Sequence, residues 1–229
     1  MQFKGSISML AAAGLLSAAL AAGNAMAQTA ATKPASSSQG RTTYLPVLNH
    51  ALVLQIPKGW KRAHENRDAV HGRYLLEYIP PGQTLQNWKE MITIQAFQNL
   101  ALNSSSHPND LIKILGTNIQ AVCKDNFVGQ IFGNARIDEA DVSVALLGCA
   151  KMPRDVPGGL RAGDSEVALY VSLRGVQDMY VIHRSRRGAA FDPATMQRQK
   201  LEQWLAPMMP IKLCVRGETE VQCRNRASR

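Results

Sequence analysis

The residues of this chain that can do acid–base or metal chemistry are few and scattered. Its five histidines are His50, His64, His71, His107 and His183. His64 and His71 are seven residues apart in a polar stretch, and exposed loop histidines are usually free of metal. Glu77 and Glu90 flank a proline-rich corner as a candidate acid and base, but no pattern places them together. His183 is expected to be a hydrogen-bonded structural residue rather than a base.

Motifs of known catalytic chemistry are also absent from the sequence. There is no Gly-x-Ser-x-Gly, no His-Glu-x-x-His, no phosphate loop and no dinucleotide fingerprint. The tryptophans at positions 60, 88 and 204 do not form an aromatic stripe for sugar or nucleic acid. We therefore expect no catalytic residue, no metal ligand and no cofactor, and a protein that is not an enzyme.

The cysteines are expected to be structural. They are Cys123, Cys149, Cys214 and Cys223. No Cys-x-x-Cys spacing occurs, so neither a redox-active pair nor a zinc site is indicated. Of the three possible pairings we favour Cys214 with Cys223, which closes a short terminal loop, and Cys123 with Cys149, which ties a helix to a strand.

Basic residues are in excess, with 26 Lys and Arg against 17 Asp and Glu and a net charge of +9. The candidate contacts to a partner or an anion are Lys58, Lys61, Arg62, Arg67, Arg161, Arg184, Arg186 and Arg187. The polyanions of a cell envelope are lipid head groups, lipopolysaccharide and acidic proteins, so nucleic acid is not an expected partner. The alternative is that the charge serves general solubility. The sequence leaves open whether these clusters form one surface.

The N-terminus has the features of an export signal. Lys4 precedes an apolar run from Ile7 to Ala22, and Ala25-Met26-Ala27 is a small-x-small cleavage site. The run is too short to span a bilayer, so we expect a cleaved signal peptide at 1–27, no transmembrane anchor in the mature chain, and a periplasmic protein. Residues 28–41 are small and polar, typical of a disordered tether, and 42–229 suit a single α+β domain.

The elements of that domain follow from periodicity and turn chemistry. TTYLPV and ALVLQIP predict two strands joined near Asn49 and His50, KRAHENRDAVHG predicts a charged loop, and RYLLEYI predicts a strand. Pro80-Pro81-Gly82 must turn the chain, and Trp88 is expected to plug the corner before a strand that ends at Phe97.

The second half predicts a helix, further strands and a closing helix. SSSHPNDLIKILGTNIQAVCKD has an apolar helical face of Leu111, Ile114, Leu115, Ile119 and Val122. The predicted strands are NFVGQIF, a piece around residues 135–137, DVSVALLGCAKM as a central strand, SEVALYVSL and DMYVIHRS. Asp192 and Pro193 are expected to start the last helix, with Phe191 and Met196 as its hydrophobic staple.

The chain resembles the PsbP-like fold, which is shared by the extrinsic P subunit of photosystem II, a Ran-binding nuclear import factor and many exported bacterial proteins. The likeness is carried by "LQIPKGW", which ends at Trp60, and by "PPGQTLQNWKEMITIQ", which holds Trp88. The second stretch is similar to that of secreted proteobacterial proteins. The resemblance implies a mainly antiparallel sheet with helices on both faces, an α/β/α sandwich, and a role in binding or assembly without catalysis.

These observations lead to one functional expectation and three alternatives. We expect a soluble periplasmic accessory protein that binds an envelope protein through the loops 58–71 and 153–164. The alternatives are an inhibitor or immunity protein against a toxic hydrolase, a binder of anionic lipid or lipopolysaccharide, and an enzyme of unrecognised type, which would need polar residues that converge in a pocket.

Overall fold

The computed structural model describes residues 40–137, 140–156, 159–195, 203–215 and 217–226. The expected signal peptide, nearly all of the expected tether and Met196 lie outside these residues. Arg41, which the sequence placed in the tether, is the first residue of a strand. No helix within the described residues is long and apolar enough to cross a membrane.

Ten strands, two α-helices and a short helical stretch at 203–205 make up the described fold. The strands are β1 Arg41–Val47, β2 His50–Ile56, β3 Lys61–Asp68, β4 Arg73–Ile79, β5 Glu90–Phe97, β6 Phe127–Ile137, β7 Ala140–Cys149, β8 Asp164–Arg174, β9 Met179–Ala189 and β10 Lys212–Cys214. The helices are α1 Pro108–Cys123 and the short C-terminal α2 Glu220–Asn225. The expected hairpin of the first two strands and the expected long helix are confirmed.

The strands form two antiparallel sheets. The larger has seven strands in the order β3-β4-β5-β9-β8-β7-β6, and the smaller has the order β1-β2-β10. The expectation of a mainly antiparallel α+β fold is therefore confirmed. β7 is internal, as its two covered faces predict, but it lies next to the edge strand β6 rather than at the centre, which β9 occupies.

Each face of the large sheet has a different cover. On one face, here the hairpin face, Leu52 and Leu54 of β2 pack with Tyr78, Ile92 and other side chains of the large sheet. On the opposite face, the helix face, Leu111 and Ile112 of α1 pack with side chains that include Leu147 and Val181. The expected helices on both faces are not confirmed within the described residues, because the small sheet covers the hairpin face.

The charged stretch after Trp60 is a strand and not the expected loop. β3 pairs antiparallel with β4 along its whole length and forms one edge of the large sheet. Six of its eight residues are charged or histidine, so it shows no apolar alternation. Edge strands often carry charge, which protects the open edge from pairing with other chains, and this explains why the sequence pattern was misleading.

The apolar face of α1 is partly different from the one expected. Leu111 is buried as expected, but Ile114 is 58% exposed and Val122 is 36% exposed. Ile112, which was not assigned to the face, is fully buried. The packed stripe is therefore rotated toward Ile112, because the position of the sheet and not the helix alone selects which apolar residues are covered.

The corner after β4 forms as expected. Gly82 has φ +78°, which glycine adopts without strain after the two prolines. Trp88 is buried in a small cluster with Ile79 and Met91, the residues at the end of β4 and the start of β5. Trp88 thus fills the corner between the two strands.

Both disulfides have the pairing that the sequence favours. Cys123 at the end of α1 bonds to Cys149 at the end of β7, and Cys214 of β10 bonds to Cys223 of α2. All four residues are buried. The two bonds are consistent with an extracytoplasmic, oxidising environment.

Candidate functional site: the corner cleft

The predicted cationic contacts lie in three separate places. Lys58 precedes β3, and Lys61, Arg62 and Arg67 lie on it. Glu65 of the same strand offsets part of the positive charge of these residues, because its carboxylate lies 3.3 Å from Arg62 and 3.0 Å from Arg67. The first group is therefore a mixed-charge edge strand rather than a purely cationic loop.

The arginines of β9 point to opposite faces of the large sheet. Arg184 is only 7% exposed on the hairpin face, where it donates to Glu90 Oε2 at 2.6 Å and to the carbonyl of Trp204 at 3.2 Å. Arg186 lies on the same face and contacts Glu90 Oε1 at 3.4 Å. Arg187 lies on the helix face and donates to Glu166 at 2.9 Å. The predicted basic residues therefore do not form one surface.

Each of these three guanidinium groups also lies over a tryptophan ring. The distance from the guanidinium carbon to the ring centroid is 5.8 Å for Arg184 and Trp60, 4.6 Å for Arg186 and Trp204, and 3.6 Å for Arg187 and Trp88. Such contacts are attractive because the face of an aromatic ring carries partial negative charge. All three tryptophans are thus used to hold arginines, and the buried Arg184 is largely removed from contact with a partner.

Glu77 and Glu90 do not form an acid and base pair. The cross-strand register places Glu77 opposite Thr93, on the helix face, whereas Glu90 contacts Arg184 and Arg186 on the hairpin face. Two carboxyl groups on opposite faces of a sheet cannot act on one substrate.

A cleft of about 590 Å³ lies between the corner loop 83–89 and the loop 151–163. We call it the corner cleft. Its polar lining includes Gln86, Lys89, Asp155, Arg161, Asp164 and Arg187. It joins one of the two loop regions expected from the sequence, 153–164, to the stretch around Trp88, and it contains two of the predicted cationic residues.

Local hydrogen bonds build the first wall of the corner cleft. The backbone N–H of Thr84 donates to Asn87 Oδ1 at 2.8 Å, and that of Lys89 donates to Gln83 Oε1 at 2.6 Å. Short polar side chains that satisfy nearby backbone groups favour turns over strands. This explains why the polar stretch between Gly82 and Trp88 forms a compact turn.

Two aspartates build the second wall. Asp155 Oδ1 accepts from the N–H of Ala162 at 2.7 Å, and Asp164 Oδ2 accepts from the N–H of Arg161 at 3.2 Å. The carboxylates therefore hold the loop together. The side chains of Lys89 and Arg161 are exposed, and so is that of Asp155, so the corner cleft presents charges of both signs with a small excess of cations.

Gly159 is the point where the two walls touch, and we expect Gly159→Ala to push them apart. A Cβ at this position would lie 1.8 Å from the carbonyl oxygen of Gln86, and the residue has φ +81°. We expect a loss of about 2–4 kcal/mol in unfolding free energy, from left-handed strain plus displacement of the backbone. Urea unfolding would measure this loss of stability. A change in tryptophan emission would report the displacement of the wall that holds Trp88.

Gly163→Ala is the matched control for that substitution. Gly163 has φ +87° in the same loop, but nothing lies within 4 Å of its added Cβ. The variant should lose only the unfolding free energy that left-handed strain costs, about 1–2 kcal/mol, and its tryptophan emission should not change. Equal losses in the two variants would show that the contact with Gln86 does not hold the walls.

An apolar groove of about 350 Å³ lies on the other side of the same loop. Its lining includes Ile119, Leu147, Met152, Tyr170 and the disulfide Cys123–Cys149. The groove shares Val156 and Leu160 with the corner cleft. Val156 and Leu160 therefore lie between an apolar groove and a charged cleft.

One structurally central residue was not identified from the sequence. Asp178, which is fully buried, accepts from the N–H groups of Asn49 at 3.1 Å and Asn99 at 2.9 Å, and from the hydroxyl of Tyr180 at 3.1 Å. His50 Nδ1 lies 3.0 Å from the same hydroxyl. Burial is the main reason that the pKa of Tyr180 is raised. The only sequence signal is an acid in the turn before an apolar strand.

The chain matches no protein-family model and no curated protein. Among solved structures it is similar to a protein from Bacteroides thetaiotaomicron, with 13% identity and a TM-score of 0.40. The match covers 79% of this chain and 50% of that one. The chain thus spans about half the length of that protein.

Proposed function

We propose that this protein is a non-catalytic, exported accessory protein that binds an acidic segment of an envelope protein in the corner cleft. The observation that carries the proposal is the pair of exposed cations, Lys89 and Arg161, held on facing loops of one polar cleft. Loops fixed on a rigid sheet are a common location for binding sites.

The lining of the corner cleft carries three cations, Lys89, Arg161 and Arg187, against two carboxylates, Asp155 and Asp164. Arg187 also pairs with Glu166, and the two aspartates are oriented by backbone N–H groups of their own loop. Lys89 and Arg161 make no ion pair among the described residues. A carboxylate-bearing segment would complement them and would also gain speed of association from the overall positive charge.

Two further observations support the wider proposal. The disulfides accord with export to the periplasm, and the resemblance to the PsbP-like fold implies binding or assembly rather than catalysis. The order of the N-terminal hairpin, the corner, the long helix and the later antiparallel strands accords with that resemblance. We include membership of this fold in the proposal.

The test begins with crosslinking in living cells. A photo-reactive amino acid replaces Gln86, which is exposed in the lining of the corner cleft and leaves both cations in place, and a control replaces Val176, which is 76% exposed in the turn at the other end of β8 and β9. We expect one identified envelope protein to be captured from position 86 and not from position 176. Capture of lipid alone, or the same proteins from both positions, would overturn the proposal.

The captured protein is then purified and its affinity is measured directly. Lys89→Glu with Arg161→Glu should weaken binding about tenfold or more, because like charges would face the acidic segment. Lys58→Glu with Lys61→Glu makes the same charge change just before and at the start of the edge strand β3, and it should leave affinity nearly unchanged. Equal weakening by both pairs would indicate only a general effect of net charge. If the captured protein is a hydrolase that loses activity in the complex, the partner class changes to that of the inhibitor alternative.

A further inference from the structure

Two hairpin turns of the large sheet carry an exposed valine. Val70 lies between β3 and β4 and is 89% exposed, and Val176 lies between β8 and β9 and is 76% exposed. Among the exposed large apolar residues that the structure describes, these two have the highest exposure. Turns favour Gly, Pro, Asn, Asp and Ser, each for a backbone or hydrogen-bonding reason that valine does not share. Turn formation therefore does not explain a valine at either position.

Three further exposed apolar side chains lie at the same end of the sheets. Leu48, in the turn between β1 and β2, is 38% exposed, and Leu100 and Leu102, which follow β5, are 39% and 59% exposed. Because β4, β5, β9 and β8 are antiparallel neighbours, the turn before β4, the end of β5 and the turn before β9 share one end of the large sheet. We call this surface the apolar tip, and its four segments are 48–49, 69–73, 98–104 and 174–178.

Hydrogen bonds join the four segments of the apolar tip. The N–H of Gln98 donates to the carbonyl of Gly72 at 2.8 Å, which joins the segment after β5 to the β3–β4 turn. The N–H of Ala101 donates to the carbonyl of Gln177 at 2.9 Å, which joins the same segment to the β8–β9 turn. The carboxylate of Asp178 joins the β1–β2 turn to this group. One connected surface therefore presents all five apolar side chains.

The exposed charge of these four segments is positive. Arg73 is exposed and makes no ion pair among the described residues. Arg174 is partly exposed, and its guanidinium donates to the carbonyls of Ala101 at 3.0 Å and Asn103 at 3.4 Å, so no carboxylate among the described residues offsets its charge. Asp178, the only carboxylate of the four segments, is fully buried. The apolar tip thus combines exposed apolar side chains with cations.

We propose that the apolar tip docks on the surface of an anionic phospholipid bilayer. The valine and leucine side chains enter the boundary between head groups and acyl chains, and Arg73 and Arg174 lie near the phosphates. The apolar side chains stand on separate turns, and a fluid bilayer accepts them at any spacing. A protein partner would need a continuous and closely complementary surface instead.

The apolar tip and the corner cleft lie at opposite ends of the large sheet. The cleft is beside the corner between the end of β4 and the start of β5, whereas the tip includes the turn before β4 and the segment after β5. Membrane docking therefore goes beyond the proposed binding of an acidic segment and does not depend on it. A docked protein would keep its corner cleft away from the membrane and open to a partner.

The experiment measures flotation of the purified protein with vesicles of equal parts phosphatidylethanolamine and phosphatidylglycerol. Val70→Ser with Val176→Ser should lower the partition coefficient about tenfold or more, because two side chains lose their apolar burial. The matched control is Ile114→Ser with Ile131→Ser, at side chains that are 58% and 44% exposed on α1 and β6, and it should leave partitioning unchanged. Neither pair should shift the unfolding midpoint, because the substituted side chains are exposed.

A tryptophan placed at the tip tests the orientation on the membrane. Phospholipids brominated on their acyl chains should quench the emission of Val176→Trp more than that of Ile131→Trp. Vesicles of phosphatidylcholine alone should bind the protein more weakly than those with phosphatidylglycerol.

Three results would overturn the proposal. The first is no flotation with the phosphatidylglycerol vesicles, or equal loss of it in the two serine pairs. The second is equal quenching of the two tryptophan variants. The third is photo-crosslinking from position 176 that captures a protein and no lipid, which would assign the apolar tip to a protein partner.

Discussion

Replacing Asp178 by alanine is expected to lower the free energy of unfolding by about 3–5 kcal/mol. The substitution removes the common acceptor of the Asn49 N–H, the Asn99 N–H and the Tyr180 hydroxyl. These donors belong to the β1–β2 turn, the segment after β5 and the start of β9. The substitution therefore removes the acceptor that links three parts of the chain. Unsatisfied buried donors cost more than the net value of the bonds that they made.

Chemical denaturation followed by circular dichroism measures this loss. Asp125→Ala is the control, because it removes a carboxylate of the same kind from an exposed position. It should change stability by less than about 0.5 kcal/mol. A loss for Asp178→Ala that is no larger than the control would show that the buried carboxylate does not hold the hairpin to the large sheet.

Replacing both Cys123 and Cys149 by alanine is expected to cost about 3.5 kcal/mol, from the entropy of the unfolded chain that the crosslink removes. The bond spans 26 residues and ties the end of α1 to the end of β7. It also forms part of the apolar groove. The variant should therefore unfold more easily and also loosen α1 next to that groove.

The other disulfide provides the internal comparison. Cys214 and Cys223 are 9 residues apart, so the same relation gives about 2.7 kcal/mol for their replacement by alanine. Urea unfolding of the two double variants gives the order of the effects. Hydrogen exchange of α1 should increase only when the first bond is removed. A larger loss for the second bond would mean that native packing, and not chain entropy, determines the contributions.

The two predictions bear on function because they concern the supports of the binding surfaces. Asp178 anchors one end of β9, whose other end brings Arg187 to the corner cleft. The disulfide Cys123–Cys149 holds the helix that borders the apolar groove. Variants at these positions test whether the sites depend on the rigidity of the large sheet.

Features that depend on a few neighbouring residues were predictable from the sequence. The corner at Gly82 follows from two prolines and a glycine, and the start of α1 at Pro108 follows from the preference of proline for the first helical turn. The burial of Trp88 and the disulfide pairing were also expected. β3 was missed because a charged edge strand has no apolar alternation.

The sequence by itself determined the mainly antiparallel α+β class, the long helix, the corner, the pairing favoured for the cysteines and the excess of positive charge. These properties follow from local backbone preferences and composition. Only the tertiary structure decided that Arg184 and Arg187 lie on opposite faces, that Asp178 joins three segments, and that the four segments of the apolar tip lie at one end of the sheets. The reason is that β5 and β9 pair across about ninety residues of sequence, and no local pattern specifies which distant strands become neighbours.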